Sequence, residues 1–332
     1  MGPMGVLHTG IVNSLPGSRL VAISDVDPRV VAPIRDLIPD IAFYADHVEM
    51  LSESHLDAVY VCTPLHTHAR IVEDIVQLKD TAAIFVEKPL AENSTVAKHL
   101  LDVSESHNVV TAVGFQRRFA PTLREAKRIL ATGVIGTPKL IRAFHLSSGV
   151  LDEGTGWRFS TGSGGMVREF GPHILDSICY LFGPPRVVGA TVQKLFSREV
   201  DDYASVSLET KAGVRAGIEI CWSFRNYPVS DFRIEVHGKK GALSVTNERI
   251  VLYMDEAAEG YKSGITKIDV AQLAQPLPFF LGAYENVAID MHFLDCVANH
   301  KTTEVPFAQG VLVNRLIDSI LEAGGMGLAP TA

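Results

Sequence analysis

Through the first third of the chain, short unbroken apolar runs alternate with stretches whose apolar positions recur every three or four residues. The runs at 20–24, 58–62, 83–86 and 109–115 are rich in Val, Ile and Ala. Runs of this length with no polar alternation predict strands buried on both faces of a parallel sheet. Between them, Ala69, Val72, Ile75 and Val76, and then Val96, Leu100, Leu101 and Val103, repeat at helical spacing. Strand and helix in alternation predict a doubly wound α/β sheet.

After Phe119 the pattern changes. One helix is predicted over 121–131, followed by strands over 139–146, 186–195, 204–209, 215–222, 232–237, 242–246 and 250–254. Turns at Lys211-Ala212-Gly213 and Gly238-Lys239-Lys240-Gly241 separate some of these. Their β-branched and aromatic content predicts a second, large, open and mostly antiparallel sheet. Amphipathic helices over 284–299 and 309–323 follow, the second packing back on a domain. The predicted organisation is one domain over 1–118 and another over 119–332.

The 332 residues allow two such domains, and 47% hydrophobic with 20% charged residues is the composition of a globular chain. Charges, Pro or Gly interrupt every apolar stretch before the roughly 20 residues of a membrane span, so no membrane association is expected. The net charge of −8, from 30 basic and 38 acidic residues, comes with no basic run beyond pairs such as Arg117-Arg118. Phosphate neutralisation, and hence nucleic-acid binding, is not expected. Cys62, Cys179, Cys221 and Cys296 lie far apart and the amino terminus has no signal-like pattern, so the expectation is free thiols in a reducing cytoplasm.

Four stretches carry candidate chemistry. Gly2-Pro3-Met4-Gly5 opens a helix, and the strand after that helix ends in Asp25, twenty positions beyond Gly5. Glycines at a helix start admit a pyrophosphate, and an acid at that distance accepts ribose hydroxyls. A plain Gly-rich helix start would explain the glycines equally well; Asp25 at a strand end favours the dinucleotide site. Cys62-Thr63-Pro64-Leu65-His66-Thr67-His68 follows a second strand, where a cofactor lies in a parallel sheet. Its histidines, two apart, point to different sides of a helix, so no metal site is expected.

Glu87-Lys88-Pro89 follows a third strand. Pro89 holds Lys88 out of helical conformation, in an extended or cis-linked turn. There its ammonium can hydrogen-bond a reacting oxygen beside a nicotinamide, although a salt-bridged strand end is a common alternative for the tripeptide. The fourth stretch runs from Gly164-Gly165 through Glu169 to Pro172-His173 and Asp176. Pro172 suits the first helical position, which puts His173 in the first turn. The positive helix end there favours a neutral imidazole, as a general base near pH 7 requires. Glu169, four residues earlier, is placed to orient it.

In order along the chain, the helix start, Asp25, Thr63-Pro64 with His68, Glu87-Lys88-Pro89, Gly114-Phe115-Gln116-Arg117-Arg118-Phe119, Trp157-Arg158 and the Gly-Gly to His173 to Asp176 segment resemble the glucose-fructose oxidoreductase/inositol dehydrogenase/rhizopine catabolism (Gfo/Idh/MocA) family. The resemblance spans nearly the whole chain. It implies a Rossmann domain, a carboxyl-terminal α/β domain with an open antiparallel sheet, and NAD- or NADP-dependent hydride transfer at a sugar, cyclitol or nucleotide-sugar hydroxyl. Lys88 becomes the catalytic lysine and His173 the acid/base. Gly2, Pro3, Met4, Gly5, Asp25, Thr63, Pro64, His68, Glu87, Lys88 and Gln116 become cofactor contacts. Arg117, Trp157 and Arg158 join Lys88 and His173 at the substrate, with Arg118 and His145 as further pocket candidates. Glu169 stands where many members carry Asp, and Leu65 where many carry Asn.

The activity implied is that of an inositol 2-dehydrogenase-like enzyme. Alternatives are a nucleotide-sugar or deoxysugar 3-dehydrogenase or 3-ketoreductase, or a noncatalytic dinucleotide-sensing regulator, against which Lys88 and His173 argue. Asp25 favours NAD over NADP, with Arg29 as the one nearby phosphate ligand. Trp222 and Phe232 are expected on an exposed sheet face that forms a homodimer or homotetramer. The resemblance also implies a first Rossmann strand, in the middle of the sheet, ahead of Gly2. Its buried aliphatic side chains contribute about 1.5–3 kcal/mol each, a large part of a domain's net stability of about 5–15 kcal/mol. The expectation is therefore that Met1 is an internal methionine, with an apolar strand upstream.

Overall fold

The apolar runs of the first third all become parallel strands, trimmed at their ends where the chain turns into loops. In the computed structural model, which describes residues 1–78, 83–150, 157–160 and 164–326, they follow one another as α1 (Pro3–Ser14), β1 (Ala22–Ser24), α2 (Pro28–Leu37), β2 (Ala42–Tyr44), α3 (His47–Glu53), β3 (Ala58–Val61), α4 (His68–Leu78), β4 (Ala83–Val86), α5 (Ser94–Ser106) and β5 (Thr111–Val113). All four residues of β4 are buried, as a strand covered on both faces requires. Pro3 opens α1, where its missing N–H costs nothing. Asp27, Asp46 and Asn93 cap α2, α3 and α5 with side-chain hydrogen bonds.

The parallel sheet is in two pieces. β1 pairs with β2, and β3, β4 and β5 pair in that order. A cavity of about 730 Å³ is lined by residues of β1 and β3, among them Ala22, Ser24, Ala58 and Tyr60, and also by Met1. The hydrogen bonds Ala42 N–H to Val21 O and Asp25 N–H to Tyr44 O turn the odd-numbered residues of β1 toward β2. Those from Ala83 to Asp57 O and from Glu87 to Val61 O likewise turn Asp57, Val59 and Val61 toward β4. Alternation along a strand then aims the backbone groups of Ala22 and Ser24, and of Ala58 and Tyr60, away from these partners and toward the cavity.

The second half supplies α6 (Pro121–Ala131), β6 (Pro138–Leu146), α7 (Met166–Glu169), α8 (Gly171–Phe182), β7 (Arg186–Gln193), β8 (Tyr203–Glu209), β9 (Arg215–Cys221), β10 (Asp231–Gly238), β11 (Gly241–Thr246), β12 (Arg249–Met254), β13 (Gly264–Asp269), α9 (Val270–Leu273), α10 (Tyr284–Ala298) and α11 (Phe307–Ala323). Its eight strands lie in the order β13-β12-β11-β10-β6-β9-β8-β7. Every neighbouring pair is antiparallel except β6 with β9. One face carries Ile141, Ile218, Ile234, Val236 and Leu243, all buried, with α6 packed on β11 and α8 on β6.

Two expectations change. The compact units are Met1–Phe115 with Leu277–Val311, and Gln116–Pro276 with Leu312–Ala332. The boundary thus falls three residues before the expected one, and α10, expected in the second domain, belongs to the first. Its Val287 closes an apolar cluster with Ile11 and Leu15 at the end of α1. Trp222 and Phe232, expected on an exposed sheet face, are 2% and 5% exposed and already covered by their own unit. The outward positions instead carry a charged ladder, in which Arg142 and Arg233 pair with Glu235, and Arg186 and Arg215 with Glu209.

Arg118, a pocket candidate in the sequence, is buried. Its guanidinium meets both carboxylate oxygens of Asp176 on α8 at 2.7–3.0 Å. Removing one member of such a pair strands a charge away from water. Arg118→Met is expected to destabilise the protein by about 3–5 kcal/mol, read from denaturant unfolding; a change below about 1 kcal/mol would contradict the pairing. The split sheet carries its own test. In amide exchange followed by NMR, Ala22, Ser24, Ala58 and Tyr60 are expected to exchange faster than Ile23 and Val59. Equal protection at all six would mean that the facing edges of β1 and β3 are paired.

Candidate active site

Parallel strands deliver their carboxyl ends to one edge of the first unit, and most of the residues expected at a cofactor stand there. Gly2 is the N-cap of α1 and offers no side-chain cap. A Cβ placed on it would meet nothing within 4 Å, so the helix start is an open cradle of backbone N–H groups. Gly5, one turn on, is buried, and a Cβ there would approach the Cys62 Cβ to 3.5 Å, so α1 rides close on the end of β3. Asp25 follows β1 directly. One of its oxygens accepts the Asp27 N–H at 2.7 Å, and its carboxylate also meets the Met1 ammonium. Open space at the helix start and an acid at the strand end are what a dinucleotide's pyrophosphate and ribose need.

Thr63 and Pro64 lead into the next helix. The Thr67 hydroxyl lies 2.7 Å from both the Thr63 hydroxyl and the Pro64 carbonyl, which fixes the turn. His68, expected to touch the cofactor, does something else. It is 1% exposed, with its ring nitrogens 3.0 and 3.1 Å from the carbonyls of Thr63 and Pro89. Burial pushes its pKa down, so the ring is neutral and its single N–H donates to only one of these two carbonyls, between two loops of the edge. Arg29, the sequence's candidate for an extra phosphate, is fully in solvent and forks onto Asp27.

Glu87 and Lys88 follow β4, and the Lys88–Pro89 peptide is cis. Glu87 is buried. One oxygen accepts from His8 on α1 at 3.1 Å, and the other accepts the Lys88 backbone N–H at 3.2 Å. Gly114 leaves room for that carboxylate, since a Cβ on Gly114 would come within 2.9 Å of it. Burial raises the Glu87 pKa, but the hydrogen bond and charge of His8 outweigh it, and the net direction is down. Neither His8 nor its second partner, Asp290 on α10, was singled out in the sequence. A histidine among the apolar residues of α1 looks like core, and nothing in spacing links it to an acid 282 residues away.

In the second unit the glycine pair before His173 is dictated by backbone crowding. A Cβ on Gly164 would lie 2.3 Å from the Arg158 carbonyl. Gly165 has φ 107°, and its Cβ would lie 2.1 Å from an Asp201 oxygen. Asp201, another residue the sequence reading passed over, is buried and clamps the start of α7. Its carboxylate accepts the Val167 N–H at 2.7 Å and its carbonyl the Met166 N–H at 2.9 Å. Burial raises its pKa.

α8 then begins with Pro172 in its first turn and His173 beside it, as expected. The His173 ring stands edge-on to His145, centroids 5.8 Å apart, and His145 stacks on Phe170 at 4.0 Å. His145, a pocket candidate, is thereby buried in the support of the His173 turn. Glu169 ends α7 and pairs with Arg158 at 3.4 Å, while the Arg158 guanidinium lies 5.7 Å from the Trp157 ring centroid. Arg117 covers Phe232 and bonds Asn247. Gln116 Oε1 is buried with no hydrogen-bond partner among the described residues. Among the described residues no group of His, Cys, Asp and Glu could hold a metal, and no helix is long and apolar enough to cross a membrane.

Comparison with known proteins agrees with this geometry. Residues 1–115 match the family described as "Oxidoreductase family, NAD-binding Rossmann fold", and residues 123–244 match the "GFO/IDH/MocA C-terminal domain". The inositol 2-dehydrogenase of Rhizobium meliloti is 31% identical over 268 residues, covering 78% of each chain. The scyllo-inositol 2-dehydrogenase (NAD(+)) of Bacillus subtilis is 28% identical, covering 91% of this chain and 85% of its own. Among solved structures, a levoglucosan dehydrogenase in complex with NADH and levoglucosan superposes with a TM-score of 0.87 at 20% identity, covering 98% of this chain and 95% of that one. A Rossmann cradle, the Glu87-Lys88-Pro89 edge, the Gly164–His173 turn and relatives matching along most of the chain lead to one conclusion: this chain is a member of the Gfo/Idh/MocA family of NAD-binding oxidoreductases.

Proposed function

We propose that this protein oxidises a ring hydroxyl of a cyclitol or a related sugar with NAD, in the manner of an inositol 2-dehydrogenase. The observation that carries this reading is the 31% identity to a relative of that name, joined to the presence of Lys88, Glu169 and His173 in this chain. When bound, NAD supplies the hydride acceptor. The chain's own residues handle the proton. Lys88 offers its ammonium to the oxygen that becomes a carbonyl. The His173 imidazole takes the proton that this oxygen gives up. Glu169, pinned by Arg158, supports the turn that carries His173, and the indole of Trp157 presents a flat face to a ring substrate.

The reading is tested by following NADH formation across myo-inositol, scyllo-inositol, aldoses and nucleotide sugars. Turnover confined to nucleotide sugars would replace it with the nucleotide-sugar 3-dehydrogenase alternative. On the substrate so found, Lys88→Met and His173→Ala are each expected to lower kcat by about a hundredfold or more, with NADH affinity by fluorescence titration held within about threefold. Near wild-type turnover in either variant removes that residue from proton handling.

NAD is expected to bind at least about tenfold more tightly than NADP, because the Asp25 carboxylate repels a 2′-phosphate and Arg29 is engaged by Asp27. Calorimetric titration of both cofactors checks this, and tighter binding of NADP would refute it.

A further inference from the structure

Beneath the strand end that carries Lys88 lies a closed line of charge that the reaction as described does not use. His8 projects from α1 and is 3% exposed. Its Nδ1 lies 2.8 and 2.9 Å from the two carboxylate oxygens of Asp290, and its Nε2 lies 3.1 Å from Glu87 Oε1. The other Glu87 oxygen receives the Lys88 backbone N–H. The ring sits against Phe85 and Tyr60, centroids 5.0 and 5.4 Å away, and Phe293 of α10 closes over both of those rings. Asp290, His8, Glu87 and the Lys88 peptide therefore form one continuous chain of hydrogen bonds.

A neutral imidazole has one N–H, and an ionised carboxylate only accepts. With ionised carboxylates at both nitrogens, the ring fills both contacts as an imidazolium; burial pushes the Asp290 pKa up, and the His8 charge pulls against that. Burial by itself pushes the His8 pKa down; Asp290 and Glu87 reverse that and carry it up to about 10. The other titratable groups around this charge are the Tyr60 hydroxyl and the Cys62 thiol, both held protonated by burial and by the nearby carboxylates. The Lys88 ammonium also bears on Glu87. A fixed cation sealed between two acids is an expensive way to fill a core. What it secures is direction, because Glu87 is held from opposite sides, by His8 and by the Lys88 N–H, with Gly114 closing a third.

His8 also lies three residues past Gly5, on the helix whose amino terminus forms the cofactor cradle. We infer that His8 is a positioning residue, an imidazolium that locks Glu87 and so sets the turn from which Lys88 acts. The inference rests on the reading of Lys88 given above. Loss of the cation leaves Lys88 in the chain and frees the carboxylate that orients its peptide. A misplacement on the order of 1 Å at a reacting group costs up to about 10²-fold in rate.

The test uses the full chain. His8→Gln alone leaves two buried carboxylates without their cation, so it is compared with His8→Gln combined with Asp290→Asn, which removes one charge of each sign. The double variant is expected to melt within a few degrees of wild type and to bind NADH within about threefold, while kcat falls about 10- to 100-fold. Adding Glu87→Gln to it is expected to lower kcat no further, since His8 acts through Glu87. A folded double variant with wild-type kcat, or a further fall of tenfold or more on adding Glu87→Gln, would overturn the inference. Lys88→Met is measured alongside. Full turnover in Lys88→Met defeats the underlying reading of Lys88, whereas loss there with full turnover in the double variant defeats the role of His8 alone. Failure of the double variant to fold would also count against it, because the cation would then be needed for stability itself.

Discussion

A parallel sheet needs a crossover between each pair of successive strands, and this constraint fixes the chemistry of the first unit. Every strand runs the same way, so every carboxyl end reaches the same edge. Asp25 after β1, Thr63 and Pro64 after β3, Glu87 and Lys88 after β4, and Gly114 after β5 are placed by one geometric rule and not by separate devices. The rule also explains why the edge is rich in residues that stop strands. Pro64 begins a helical turn and Pro89 follows Lys88 through a cis peptide, so in both places the backbone leaves the sheet abruptly and polar side chains are set off from the buried strands.

Polar groups that stay below that edge must be satisfied inside the protein, and they are satisfied in ways that stiffen it. His68 is buried between the carbonyls of two loops and donates its one N–H to one of them. His8 spans Glu87 and Asp290. In the second unit the same logic holds for Asp201, which receives the first N–H groups of α7, and for Arg118 with Asp176. Each is a buried charged or polar side chain within one or two contacts of a backbone segment that presents a candidate catalytic residue. Truncating any of them leaves a partner unpaired away from water, which costs more than the net worth of the bond itself.

What could be read from the sequence follows from how local each signal is. β4 and α6 were legible to the residue, because a fully buried strand and an amphipathic helix leave a periodic trace in consecutive positions. β2 has only three residues, and β13 alternates half-exposed with exposed positions, so neither carries an apolar run to detect. The membership of α10 in the first unit depends on Val287 meeting Ile11 and Leu15, a contact across nearly the whole chain. Candidate residues divide in the same way. Gly2, Gly5, Asp25, Lys88 and His173 stand where their neighbours' sequence puts them. His68, Arg118 and His145 are polar and lie beside motifs, which is all the sequence shows of them; in the structure each is buried and supports a neighbouring turn. Strand periodicity gives the side of a sheet but not what covers it, so from sequence Trp222 and Phe232 read as an exposed face, while the structure buries both.

The two-piece parallel sheet is where local rules and the whole fold meet. A strand interior to a parallel sheet is bonded along both edges, whereas among the described residues β1 pairs with β2 and β3 with β4. The space between them is lined by their own residues and by Met1, the residue directly ahead of the Gly2 cradle. The cradle itself is the start of α1. Its hold on the unit comes from Gly5 seated against Cys62, from Ile11 and Leu15 under α10, and from the His8 imidazolium between Glu87 and Asp290. The last of these is the one polar anchor in that set. One buried imidazolium thereby joins α1, the Lys88 turn and α10, elements brought together from opposite ends of the sequence.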